Sequence, residues 1–403
     1  MTLLDTITKA TAAVEAGEFF AGEFFQYPII LNSDEIFPNL KPDSETNGAA
    51  PLISRVSGWS ITETDLSVIK SMTKFSKSLK KKLKHPRSLD RVEFLRLFNS
   101  FLRSNGANLG VALDPVPSDL DFTRLAIEKL GFLICGELAA LILDGCVVLE
   151  FWELLEILIV HGVVSHLSSA NLIEKLMDKN QVGLLCLCVK NTADLRPSEL
   201  LAVLRFFLSP SRTTYSIFSE VKKQWERQAF LAFEKATKKG LPKKASAIAR
   251  KASILLMLAH DGFSSSESCL HYVFSTSNVD SLIFSSAISR LNGKEVLSLI
   301  RYLGKWLKKY ERYPEAGPCP RGKSILGLSN CESVPSFDSV LKALSLILDE
   351  HFSYLVLNSD FHGEVRDMQK IVNGLISEAD GSSPVDEIVR LLRSNSESRR
   401  ASH

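Results

Sequence analysis

"KEVLSLIRYLGKWLKKYERYPEAGPCPRGKSILGLSN", residues 294–330, holds two readings that exclude one another. Gly317, Gly322, Lys323 and Ser324 have the G-x-x-x-x-G-K-S spacing of a phosphate-binding loop, which works between a strand and a helix that opens at its lysine. The residues before it have a different period. At about 100° per residue, Val296, Leu299, Ile300, Leu303, Leu307 and Tyr310 fall on one face, and Arg301, Lys305, Lys308 and Arg312 on the opposite one. That is an amphipathic helix, not a strand. Pro318 and Pro320 lie inside the motif, and proline has no N–H to offer a phosphate. "ILGLSNCESVPSF" follows, broken by Gly327, Asn330 and Pro335, so no helix is expected to open at Lys323. The string "LILDE" at 346–350 returns to the same theme, yet Val340, Leu341, Leu344, Ile347, Leu348 and Phe352 around it keep the helical period. The expectation is a helix, a solvated Gly/Pro/Ser loop over 313–334, and a second helix packed against the first.

Outward from this stretch the same period continues. "TDLSVIKSMTKFSKSLKKKLK" predicts a helix ending in a basic cluster and stopped by Pro86, and "SLDRVEFLRLFNSFLRS" predicts the next. Helices are expected at roughly 119–142, 148–162, 167–178, 181–190, 197–208, 214–238, 243–260, 265–273, 277–288 and 292–312. Ser169 and Pro197-Ser-Glu mark two of the starts. No period-2 strand pattern stands out. The fold class is therefore all-α, an α-solenoid-like or multi-layer helical array, since short helices need neighbours to cover their apolar faces. The organisation predicted is an irregular arm over 1–60, a basic helical segment over 61–110, a helical array over 111–312, the loop over 313–334, terminal helices over 335–395 and a disordered tail over 396–403. The arm carries the tandem "AGEFFAGEFF", read as pinning it to its own core.

A formal net charge of +2 hides an asymmetry. Residues 111–160 hold nine acids against Arg124 and Lys129, and residues 201–260 hold twelve bases against three glutamates. Either the basic segment has an anionic partner or the two segments attract one another. The seven cysteines form no C-x-x-C pair, and Cys186 and Cys188 lie in an apolar run where a thiol acts as a small hydrophobe. A reducing compartment follows from their odd, unframed number. The first twenty residues have neither a secretory nor a transit pattern. The most apolar stretch, 130–160, is broken by five acids, which reads as a buried helical core rather than a membrane span. His161, His166, His351 and His362 are read as structural. Neither G-x-S-x-G nor H-E-x-x-H is present. No enzyme, metal, cofactor or small-molecule substrate is expected.

The basic elements are the functional lead. Lys80, Lys81, Lys82 and Lys84 close the first helix, Lys243 and Lys244 open another, and Arg301, Lys305, Lys308 and Arg312 form the basic face already described. With Tyr302 and Trp306 at the flanks of that face, these ten cations are the candidate nucleic-acid contacts and nuclear-import signals.

"LIRYLGKWLKKY", a loop, and "SVLKALSLILDEHFSYLVLNSDFHGEVRDMQKIVNGL" together resemble the C-terminal helical region of nucleolar protein 11 and related subunits of the small-subunit processome, over about residues 290–378. The resemblance lies in a helix ending Trp-Leu-basic, then a long helix of the type L-D-x-H-F-x-x-L-V, then a final helix. It implies a nucleolar scaffold for pre-ribosomal RNA transcription and processing, with protein partners in a large ribonucleoprotein assembly and RNA as a further partner. Those proteins also carry an N-terminal β-propeller, for which this chain has no blade-like repeats. The reading is a nucleolar scaffold. Its alternatives are a helical adaptor with no nucleic-acid role and, less favoured, a P-loop NTPase.

Overall fold

Where several of the periodic stripes begin, a side chain satisfies free N–H groups of the first turn. Ser118, Ser264, Asn292 and Ser336 do this for four of the helices, and Asp90 and Asp280 accept from the N–H that follows them. The computed structural model describes residues 62–84, 89–113, 118–193, 195–210, 215–238, 242–275, 279–314 and 316–377. Among them every regular element is helical, and the all-α class holds. In chain order these are α1 (Glu63–Leu83), α2 (Arg91–Asn108), α3 (Asp119–Leu130), α4 (Gly136–Val148), α5 (Trp152–Val160), α6 (Ser169–Asp178), α7 (Val182–Asn191) and α8 (Pro197–Leu208). Then follow α9 (Tyr215–Thr237), α10 (Lys243–His260), α11 (Ser265–Phe274), α12 (Ser281–Ile288), α13 (Gly293–Arg312), α14 (Pro320–Leu326), α15 (Phe337–Leu357) and α16 (362–377). The arm with its tandem "AGEFF", Pro86 and the tail lie outside the described residues.

The described residues from Glu63 onward form one compact unit. On either side of residue 110, α2 packs on α3 and α1 on α4. Contacts between α7 and α11, and from α8 to both α12 and α13, run across the array and not only between consecutive helices. Trp225, Trp306, Tyr302, Phe94, Phe98, Phe207 and Phe218 are fully enclosed in the core.

Four expectations are corrected. The helix expected over 119–142 is two helices, because Gly131 opens a 3-10 turn and Gly136 adopts φ 54°, a left-handed conformation that ends one helical course and starts another. The 313–334 segment is not a solvated loop. It folds into α14 and a 3-10 turn at Ser329–Glu332, and Leu326, Leu328, Cys331 and Val334 are buried. A helix does open near Lys323, at Pro320, where the missing N–H of proline costs nothing in a first turn. Phe352 points to solvent, whereas Val340, Leu344 and Ile347 of α15 turn inward as expected, and Leu355 joins them. The expected partner of that inward face is found: α15 packs on α13.

Candidate interaction surfaces

α13 is built around its apolar stripe. Asn292 accepts from Glu295 N at 3.0 Å, and Glu295 accepts from Asn292 N at 2.9 Å, a reciprocal capping box. Val296, Leu299, Ile300, Leu303, Leu307 and Tyr310 are all buried, as the period predicts. So are Tyr302, Gly304 and Trp306. The two aromatic side chains expected at the edge of a nucleic-acid surface are therefore core residues, because neighbours cover more of this helix than one face.

What encloses them is a polar node at the centre of the array. His271 of α11 is fully buried, with Nε2 3.0 Å from the Ala259 carbonyl and Nδ1 2.9 Å from Tyr302 Oη. A carbonyl only accepts, so Nε2 carries the proton and Nδ1 accepts from the Tyr302 hydroxyl. Trp306 Nε1 donates to Tyr302 Oη at 3.1 Å. Phe263 and Trp225 set their rings edge-on to the imidazole, at centroid distances of 4.7 and 5.0 Å. Burial pushes the His271 pKa down to about 3, and the nearby Lys309 charge lowers it further against the opposing Ala259 bond. The imidazole is neutral and locked, a tie between α10, α11 and α13. The sequence reading did not single out His271, since a lone histidine in an apolar run carries no spacing signal.

The candidate cations divide into two groups. Lys80 pairs with Glu137 at 2.9 Å and holds that carboxyl below its ordinary range. Lys82 pairs with Glu93. Arg301 meets Glu364 at 2.8 Å, and Lys305 reaches both Glu267 oxygens at 2.8 Å. Four of the ten are thus neutralised by acids of their own chain. Lys81, Lys84, Lys244, Lys308 and Arg312 are exposed and have no ion pair among the described residues. The Lys243 side chain lies outside the described ones. No ion pair among the described residues joins the acidic segment to the basic one. Among the described residues, Asp119, Glu137, Asp144 and Glu150 pair with Arg103, Lys80, Lys175 and Lys179, none of which is in 201–260.

The phosphate-loop motif has a packing explanation. A β-carbon at Gly322 would stand 2.9 Å from Cys331 Sγ and 3.6 Å from Ala252 Cβ, so glycine lets α14 sit against the 3-10 turn and α10. The Gly322 N–H donates to the Cys319 carbonyl at 2.9 Å, and Lys323 Nζ pairs with Glu332 at 2.9 Å. The preceding element is α13, a helix.

The remaining singled-out histidines have backbone partners or surface positions. His351 Nε2 is 2.9 Å from the Ile288 carbonyl and His362 Nε2 is 2.9 Å from that of Val356. Cys146, Cys186, Cys188, Cys269, Cys319 and Cys331 are buried free thiols, and Cys135 is exposed. Burial raises the Cys188 thiol to about 11, which keeps it protonated. A cavity of about 240 Å³ between α11, α12 and α15 has Phe274, Phe284 and Leu346 for walls and Asp338 and Lys342 at its rim. It falls below the range of about 300–1,000 Å³ usual for small-molecule sites. Among the described residues no three His, Cys, Asp or Glu side chains gather as a metal site, and no helix is long and apolar enough to cross a membrane.

Compared with protein-family models and with curated proteins, the chain matches none.

Proposed function

We propose that this chain is a non-catalytic helical scaffold of a nuclear, nucleolar ribonucleoprotein assembly engaged in ribosome biogenesis, holding protein partners on its helical faces and RNA on exposed cations. One observation supports it above the others. After the fold has paired the cations that acids can reach, Lys81, Lys84, Lys308 and Arg312 stand exposed on α13 and at the end of α1, with no ion pair among the described residues. Uncompensated lysine and arginine side chains attract phosphate because binding releases counterions. The likeness of residues 290–378 to processome helical regions supports the choice of assembly.

The test is RNA binding by the full chain across a salt series. Replacing Lys81, Lys84, Lys308 and Arg312 by Gln should weaken single-stranded RNA binding at every sequence tried. It should also flatten the salt slope by about 0.7 for each phosphate that is no longer neutralised. Replacing the paired Lys80, Lys82, Arg301 and Lys305 should do less. Equal binding and equal slope in the first variant would sink the RNA part and leave a helical adaptor. The nuclear part is tested by imaging: changing Lys80, Lys81, Lys82, Lys84, Lys243 and Lys244 to Gln should move a tagged protein out of the nucleus.

A further inference from the structure

α10 carries Lys243, Lys244, Arg250 and Lys251 and not one acid in its 18 residues. Its inner face is settled: Ala249, Ala252, Leu255, Leu256 and Ala259 are buried, and the helix packs on α9, α14 and the 3-10 turn at Ser329–Glu332. Its outer face is open. Lys244, Ala247, Arg250, Lys251, Ile254 and Met257 are exposed there, Ile254 to 50% and Met257 to 37%. Ala247 and Ile254 are seven residues apart and so lie two turns apart on one line. Arg250 and Met257 border that line on one side, and Lys244 and Lys251 on the other. None of Lys244, Arg250 and Lys251 has an ion pair or side-chain hydrogen bond among the described residues.

This pattern differs from that of the cations proposed above to meet phosphate. Phosphate needs charge and donors, and bases need aromatic rings to stack on. The cations of α10 supply charge and donors, but the aliphatic line of Ala247 and Ile254 gives bases no ring to stack on. What it fits is a second helix. Apolar side chains at i, i+3, i+4 and i+7 of a partner would lie over Ala247, Ile254 and Met257, where a small alanine permits close approach. Carboxylates flanking those positions would meet Arg250 on one side and Lys244 and Lys251 on the other, which sets both orientation and encounter rate. A lipid surface asks for a broader apolar band than two large side chains.

We infer that the outer face of α10 docks an acidic amphipathic helix of a partner protein. The inference rests on the scaffold reading and names the kind of partner one of its faces takes. Its residues are separate from the RNA quartet, so the two readings fail independently.

The experiment measures anisotropy of a labelled synthetic helix, leucines on one face and glutamates on the other, titrated with the full chain. Two variants are compared with wild type: Ile254→Ser with Met257→Ser, and Lys244→Gln with Arg250→Gln and Lys251→Gln. All five side chains are exposed, so both variants should melt like wild type. Each should weaken binding about tenfold or more, as loss of a central anchor or its charge partner does at an interface. The RNA-quartet variant should bind the peptide like wild type, whatever it does to RNA. Three results would overturn the inference. One is a wild type that binds a peptide with scrambled leucines as well as one whose leucines share a face. Another is a serine pair that binds like wild type while the glutamine triple does not, which makes the face a bare polyanion patch. The third is a serine pair that loses only its binding to phosphatidylserine vesicles, which makes it a lipid surface.

Discussion

α13 runs through the centre of the array, whereas α10 lies with one side on α9 and α14 and the other in solvent. Both helices are long and cationic. On α13, Arg301 and Lys305 end on Glu364 and Glu267, and Lys309 is held 4.0 Å from Asp261, its pKa lowered chiefly by burial. On α10 the exposed Lys244, Arg250 and Lys251 meet no acid among the described residues. Glu267 owes its place to a different task, the capping box with Ser264 that starts α11. The lesson is that a basic side chain stays unpaired only where the neighbours bring it no carboxylate. Mean charge along a helix does not reveal this.

Truncation should separate the two helices most sharply. Trp306→Ala removes a fully buried indole and its bond to Tyr302, and should cost about 3–5 kcal/mol by urea unfolding. Ile254→Ala on the open face of α10 should stay within about 0.5 kcal/mol. A large cost at Ile254 would mean that α10 is covered, and the docking inference would fall with it.

The node beneath both helices gives the next largest effect. His271 has its pKa lowered from the ordinary 6.5 to about 3 in the folded chain, so the unfolded chain takes up the proton first. Its contribution to stability is complete above pH 6.5 and is lost as pH falls toward 3, by at most about 1.4 kcal/mol per pH unit. His271→Gln should be less stable than wild type at about pH 7.5, and the gap should narrow through that window. A constant gap would show that the imidazole is not buried neutral.

The two motif glycines sharpen the contrast on a smaller scale. Gly322→Ala puts a methyl 2.9 Å from Cys331 Sγ and close to α10, and should cost about 1–3 kcal/mol by overpacking. A β-carbon at Gly317 meets nothing within 4 Å, and Gly317→Ala should be close to neutral. If the order reversed, the packing explanation of the motif would be wrong.

Smallest are the charges themselves. Lys305→Gln loses a partly exposed pair with Glu267 and should cost up to about 1 kcal/mol, less at high salt. Lys251→Gln should leave stability unchanged at any salt. Equal salt responses would erase the distinction between paired and unpaired cations.

Several features were legible without coordinates because they are local. The stripe of Val296, Leu299, Ile300, Leu303, Leu307 and Tyr310 needs only the helical period. Pro197 opens α8 as read, with Glu199 accepting from Arg196 N at 3.2 Å. The exposure of Ile254 was less legible. α10 has apolar residues nearly all round, and no pattern along the chain says which of them stay uncovered. Gly, Pro and Ser in 313–334 describe where the backbone turns, and turn chemistry is silent on whether the turns are packed.

The amino-acid sequence by itself determined that this protein is built of helices, and where most of them begin. Helical hydrogen bonds and caps join residues no more than about four apart, so short-range pattern is enough. The tertiary structure alone decided that Trp306 and Tyr302 are core, that Lys80, Lys82, Arg301 and Lys305 are paired, and that the outer face of α10 is open. Those outcomes depend on which distant helix lies alongside, as Glu364 does for Arg301 across 63 residues of chain. Burial and ion pairing are properties of that meeting, and neither helix carries them alone.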